Sequence, residues 1–124
     1  MENIEYIHAP PCFDGGGGLI AIVVRAAYDV PGVTFFTRPE EGQQVAFIRH
    51  PAGHVIAPHV HRNVVRAFER TQEVLVFRRG RVRVTFYDRS GQRVDAKELN
   101  AGDTLLLLGG GHSFEVLEEV GMVE

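Results

Sequence analysis

At 124 residues the chain is long enough for one domain with a real core and too short for two ordinary ones. Its 44% hydrophobic, 9% aromatic and 23% charged content is that of a folded globular protein, and 13 basic against 16 acidic residues give no electrostatic case for nucleic acid. No apolar run approaches the roughly 20 residues that cross a bilayer, and the opening Met1-Glu2-Asn3-Ile4-Glu5 is unlike the basic start of a secretory signal. The expected setting is therefore the cytoplasm, with neither membrane nor nucleic acid as partner.

The single Cys12 leaves no intrachain disulfide and no cysteine-rich zinc site, so any metal must be held by nitrogen and oxygen donors. Fourteen glycines and six prolines cut the chain into short apolar runs, which suits an all-β sandwich or barrel. An N-terminal arm of about residues 1–18 ends in Gly15-Gly16-Gly17-Gly18, which reads as a flexible entry to a strand. It lacks the following helix and lysine of a phosphate cradle. Strands are predicted over 19–28, 33–36 and 44–50, with Pro39-Glu40-Glu41-Gly42 as a solvated loop. A strand over 55–61 carries His59 and His61. Side chains two apart on a strand share a face, so both imidazoles would converge on one point.

The stretch 62–72 is open to two readings: Val64, Val65 and Phe68 form one face of a short helix, or they anchor an extended loop over a barrel mouth. Either way it is the candidate lid. Its Arg62, Arg66 and Arg70 either present guanidinium groups to a carboxylate or phosphate, or belong to a solvated charged loop. His54 and Arg49 are weaker candidates for the rim of a site, whereas His50 and His8 have no ligand assignment.

Glu73 opens the next predicted strand, 73–77, and shares a face with Leu75 and Phe77. Those two would line the interior, Phe77 as a pocket wall, while Val74 and Val76 point outward. A carboxylate on an apolar face is costly unless it is paired or metal-bound. Arg79-Gly80 punctuates a hairpin to a strand over 81–87, with Arg78, Arg79, Arg81 and Arg83 protecting the turn and edge. Turns at 88–91 and 100–103 lead to strands over 93–99 and 104–108. Glycines 109 to 111 fold tightly enough to bring His112 and a last strand, 113–117, beside the early histidines. The run from Val120 to Glu124 is still strand-like.

The order Gly53, His59, His61, Glu73, Gly80 resembles the first motif of the cupin superfamily, G-x5-H-x-H-x(3,4)-E-x6-G, with both outer spacings matched. Eleven residues separate His61 from Glu73, which makes 62–72 an insertion. Gly102, Gly109 and His112 resemble the skeleton of the second motif, with Leu107 at its proline position and Val116 at its asparagine position. The resemblance implies a double-stranded β-helix, or jelly-roll barrel, in which His59, His61, Glu73 and His112 hold one divalent ion per chain. Fe, Mn, Ni, Co and Zn all suit such ligands. It further implies a small-molecule ligand or substrate, a homodimer, and a metal-dependent enzyme; it permits oxygenase, isomerase, epimerase, lyase and decarboxylase activities without choosing among them, and within that range Fe(II)-dependent dioxygenase is the leading expectation. Sugar or hydroxy-acid isomerisation or epimerisation is the rival. Non-enzymatic, metal-dependent binding of a small molecule is the alternative of a different class.

Overall fold

A computed structural model describes residues 2–11 and 17–124. The class is all-β, with no helix among the described residues. The strands are β1 (Ile4–Ala9), β2 (Gly18–Val24), β3 (Gly32–Phe35), β4 (Ala46–Arg49), β5 (Glu73–Tyr87), β6 (Arg93–Asn100), β7 (Thr104–Leu107) and β8 (Gly111–Val123). Among the described residues no helix is long and apolar enough to cross a membrane. The chain separates into two compact units, Met1–Tyr28 with Arg70–Glu124, and Asp29–Glu69.

The first unit is a six-stranded antiparallel sheet in the order β1-β2-β7-β5-β6, with β8 on the opposite edge of β5. Its organising element is the 15-residue β5. Glu73–Val76 pairs with β7, Arg81–Tyr87 pairs with β6, and β8 runs along the other edge from Val76 to Tyr87. β6 and β7 thus lie end to end along one edge of β5. At their junction the Gly102 amide donates to Phe77 O at 2.7 Å and the Phe77 amide to Asp103 O at 3.0 Å.

The hairpin expected at Arg79-Gly80 is not formed, because the strand continues through it. Gly80 sits at φ +87°, and a β-carbon there would overlap the carbonyl oxygen of Glu119. Register shifts between Phe77 and Arg79, Arg79 and Arg81, and Arg81 and Val82 gather around this glycine. Bulges bend a strand and sharpen its twist without ending it, so Gly80 serves a bend and a close approach, not a turn. The arginines assigned to a hairpin lie mid-sheet. There Arg81 bridges Glu98 and Glu118, and Arg83 bridges Glu98 and Glu115, at 3.0–3.4 Å.

The curl that results is large. Laid out straight, the stretch from Glu73 to Phe86 would span roughly 43 Å at 3.3 Å per residue. Yet Glu73 reaches the side chain of His112, the register partner of Phe86. The concave face carries the core: Leu75, Phe77, Val82, Val84 and Phe86 of β5 pack with Ala21, Val23, Leu99, Leu105 and Leu107. Leu75 is 1% exposed and Val76 41%, which is the inward and outward alternation expected of this strand. Every residue from Ile20 to Val23 and from Leu105 to Leu108 is buried. These two strands therefore read as continuous apolar runs, not as alternating ones.

The N-terminal arm holds a strand that the sequence reading did not foresee. β1 pairs with β2 and buries Ile4, Ile7 and Ala9; a register shift between Ile7 and His8 breaks the two-residue period that would have revealed it. Glu5 of β1 is hydrogen-bonded to Arg25, which also reaches Asp103 at 3.1 Å and Glu98 O at 2.6 Å. Gly17 and Gly18, both at positive φ, lead into β2, while Cys12, Gly15 and Gly16 lie outside the described residues. At the other terminus β8 extends to Val123, so the strand-like tail is a strand.

The second unit is built on a two-stranded antiparallel ribbon, β3 with β4, in which Val33 faces Ile48 and Thr34 faces Phe47. Gln44 fastens the connecting loop by donating to Arg38 O at 3.0 Å and Glu41 O at 2.9 Å, and by accepting from the Thr37 hydroxyl at 3.1 Å. The strand expected over 55–61 is absent. Pro58 removes a ladder donor from its middle, and these residues are exposed without strand pairing. The helical reading of 62–72 does not hold: the stretch has no helix and is exposed through Thr71.

Candidate functional site

The four candidate ligands are found as two pairs, one in each unit. In the first unit, Glu73 starts β5 on the face of Leu75 and Phe77, and His112 lies opposite Phe86 near the start of β8. Both therefore project from the core-facing side of the curled sheet. The imidazole Nε2 of His112 stands 3.9 Å from Oε2 of Glu73, each side chain about a third exposed. The His112 ring meets Phe114 edge-on, with centroids 5.5 Å apart, so an aromatic neighbour restrains its orientation. Gly110, at φ +66°, lets the chain turn close against Tyr87 O and deliver His112 to this position.

In the second unit His59 and His61 meet edge to face, ring centroids 5.0 Å apart. Their proximity does not come from a strand face, since 55–61 forms none. The Nδ1–H of His59 donates to the Ala57 carbonyl at 2.9 Å. A carbonyl can only accept, so the proton is fixed on Nδ1 and the Nε2 lone pair of the neutral ring is left for a ligand. Among the described residues no group of three or more His, Cys, Asp or Glu is gathered as a metal cage.

The weaker candidates separate sharply. Phe77, expected as a wall or core residue, is 2% exposed and packs in the core. Arg49 is ion-paired with Asp29 at 3.0 Å within its own unit. His54 stacks on His50, centroids 3.8 Å apart, across a turn closed by the His54 amide on Pro51 O at 3.2 Å. Arg66 donates to Glu41 O at 3.3 Å, and Phe68 covers Gly42, where a β-carbon would overlap its ring. These contacts dock residues 64–68 on the loop after β3, around a cavity of about 400 Å³ also lined by Pro39, Glu40 and Gly42. Arg62 is exposed.

Arg70 is different. Its side chain lies across Gly109, where a β-carbon would stand 3.1 Å from Nη1 and 3.2 Å from Cδ. The sequence offered only a weak signal for this contact, a glycine ahead of His112 whose requirement is closeness to a side chain and not a positive φ. The hydrogen bond between Tyr87 Oη and Ser113 Oγ, 3.1 Å, was not legible at all, because it depends on the register of β8. Comparisons with protein-family models, curated proteins and solved structures find no match to this chain.

Proposed function

We propose that this chain is a metal-dependent enzyme of cupin-like, double-stranded β-helical build that acts on a small polar organic molecule. One divalent ion is held by His59, His61, Glu73 and His112. The observation that carries this reading is the Glu73–His112 pair, a nitrogen and an oxygen donor 3.9 Å apart on the concave face of a curled sheet. Two ligand atoms each about 2.0–2.2 Å from one tetrahedral ion stand about 3.3–3.6 Å apart, so the pair would close by a few tenths of an ångström on sharing an ion. His59 adds support, since metal-binding imidazoles commonly give their other N–H to a carbonyl or carboxylate.

When bound, the ion supplies a Lewis acid with open positions for oxygen donors. The protein's own contribution is orientation. Strand pairing fixes Glu73 and His112, and the apolar core behind them keeps water from that side. Within this reading Fe(II)-dependent dioxygenation is the leading activity, in a cytoplasmic homodimer. The exposed Val33, Phe35 and Ile48 of β3 and β4 support the dimer as apolar surface suited to a partner.

A second reading draws on the same pair. There a bound ion would polarise the carbonyl of a sugar or hydroxy acid for isomerisation, with a base other than the metal ligands taking the proton. Metal analysis of the purified protein tests the first reading directly, with about one divalent ion per chain expected and loss on combined replacement of His59, His61, Glu73 and His112. Unchanged occupancy in that variant would reject it. After anaerobic Fe(II) loading, substrate-dependent oxygen uptake favours dioxygenation, product isomerised without oxygen use favours the second reading, and binding without turnover favours a metal-dependent binding protein.

A further inference from the structure

We propose that Arg70 selects the substrate, by binding a carboxylate or phosphate group of a small molecule whose other end reaches the Glu73–His112 pair. This rests on the reading of that pair as a ligand site. Of the arginines assigned to a rim or lid, Arg49 is taken by Asp29 and Arg66 is engaged with a backbone carbonyl. Arg70 makes no ion pair or hydrogen bond among the described residues, and it is exposed. A guanidinium with its donors unspent is the side chain best shaped to hold an oxyanion through two parallel hydrogen bonds.

Its place is set by Gly109. Gly109 lies two residues beyond Leu107, the register partner of Glu73, and three before His112. Consecutive α-carbons are 3.8 Å apart, so Gly109 is within about 8 Å of Leu107 and about 11 Å of His112 along the chain. The absence of a side chain at Gly109 leaves room for the arginine's arm to lie on the backbone, which ties the cation to the stretch between Leu107 and His112. Those limits admit a small dicarboxylate or a short sugar phosphate between the two ends. With a divalent ion on the pair, a fixed guanidinium adds a second attraction for an anionic molecule and favours one that carries oxygen donors at both ends.

The test uses the full-length protein, with and without Co(II), titrated calorimetrically with succinate, with neutral succinamide and with inorganic phosphate. The expected result is binding of succinate or phosphate at least tenfold tighter than of succinamide. Arg70→Ala should abolish that preference while leaving succinamide binding and metal content unchanged. Arg70→Lys should retain part of the preference, Gly109→Ala should weaken it by a smaller factor, and Arg66→Ala should leave it within twofold. Succinate favoured over phosphate assigns a carboxylate, and the reverse order a phosphate. A preference that persists in folded Arg70→Ala protein, or no anion binding by the parent chain, overturns the proposal. Metal content reports separately on the ligand reading: anion selection lost with Arg70 in a chain that takes no metal would sink the metal site and leave Arg70 in its role.

Discussion

The two units differ in what holds them together. The unit of Met1–Tyr28 and Arg70–Glu124 is a curled sheet with fully buried side chains on five of its strands, among them Phe77, Leu75, Leu105 and Val82 at 0–2% exposure. In Asp29–Glu69, among the described residues, only Phe36 and Thr37 are buried, while Val55, Val60 and Val65 are 79%, 94% and 104% exposed. The second unit relies on the Gln44 fastening, ring contacts and ion pairs such as Arg38–Glu41 and Arg49–Asp29. The candidate ligands divide along the same line. Glu73 and His112 stand on paired strands, which open only when much of the sheet opens, and His59 and His61 stand on backbone that opens at little cost.

The strongest way to break this comparison is to empty the core of the first unit. Phe77→Ala should cost about 3–5 kcal/mol, the usual range for a buried phenylalanine, read as a lowered midpoint in urea. A loss below about 1 kcal/mol would mean that the curled sheet is not the stable body of the molecule. Gly80→Ala comes next, at about 2 kcal/mol or more. It forces a side chain into positive φ and against the Glu119 carbonyl, where the partner is backbone and cannot step aside. A stable Gly80→Ala protein would show that β5 does not need its bend.

The same bend explains where the sequence was legible. The alternation of Glu73, Leu75 and Phe77 against Val74 and Val76 is a local property of one strand, and it survives in the structure. The turns at 88–91 and 100–103 were equally local, with Asp88 accepting from the Ser90 and Gln92 amides and the Asp103 amide donating to Asn100 O. Gly80 gives no such local signal, because a glycine that permits a turn and one that permits a bulge look alike until the opposing strand is known. For 55–61 the two-residue period was present, but no strand edge pairs with it. Motif order grouped Glu73 and His112 with His59 and His61 as ligands; the contact between Glu73 and His112 depends on the curl of β5, which no single stretch encodes. Arg70 could not be told from Arg62 and Arg66 by type or spacing.

A smaller effect tests the rim of the first unit. The hydrogen bond from Arg25 holds the Glu5 carboxyl below its ordinary value of 4.5, and Lys97 at 3.3 Å adds to this. Because the folded value is the lower one, the contribution is complete above the unfolded value and disappears as pH falls through the folded one. Glu5→Gln should therefore cost less than about 1 kcal/mol near neutrality, the size of a partly exposed pair. The gap to the parent chain should close in acid, as pH falls from the ordinary value of 4.5 through the lower folded one. A gap that persists unchanged there would assign the effect of the substitution to packing, not to the ion pair.

The smallest effect is also the most informative about the second unit. Val60 is 94% exposed, so Val60→Ala should change global stability by less than about 0.5 kcal/mol. Hydrogen exchange can still see the segment. The amides of 55–61, without strand pairing, should exchange close to the unprotected rate, whereas those of β5 exchange only through global opening. Addition of Zn(II) then sharpens the comparison. If His59 and His61 contribute to a metal site, their segment acquires the order it lacks, and its exchange slows while β5 is unchanged. In His59→Ala/His61→Ala protein that slowing should vanish. Protection of 55–61 in the absence of metal, at the level of β5, would show instead that the second unit is as firmly held as the first, and that its exposed valines are covered in solution.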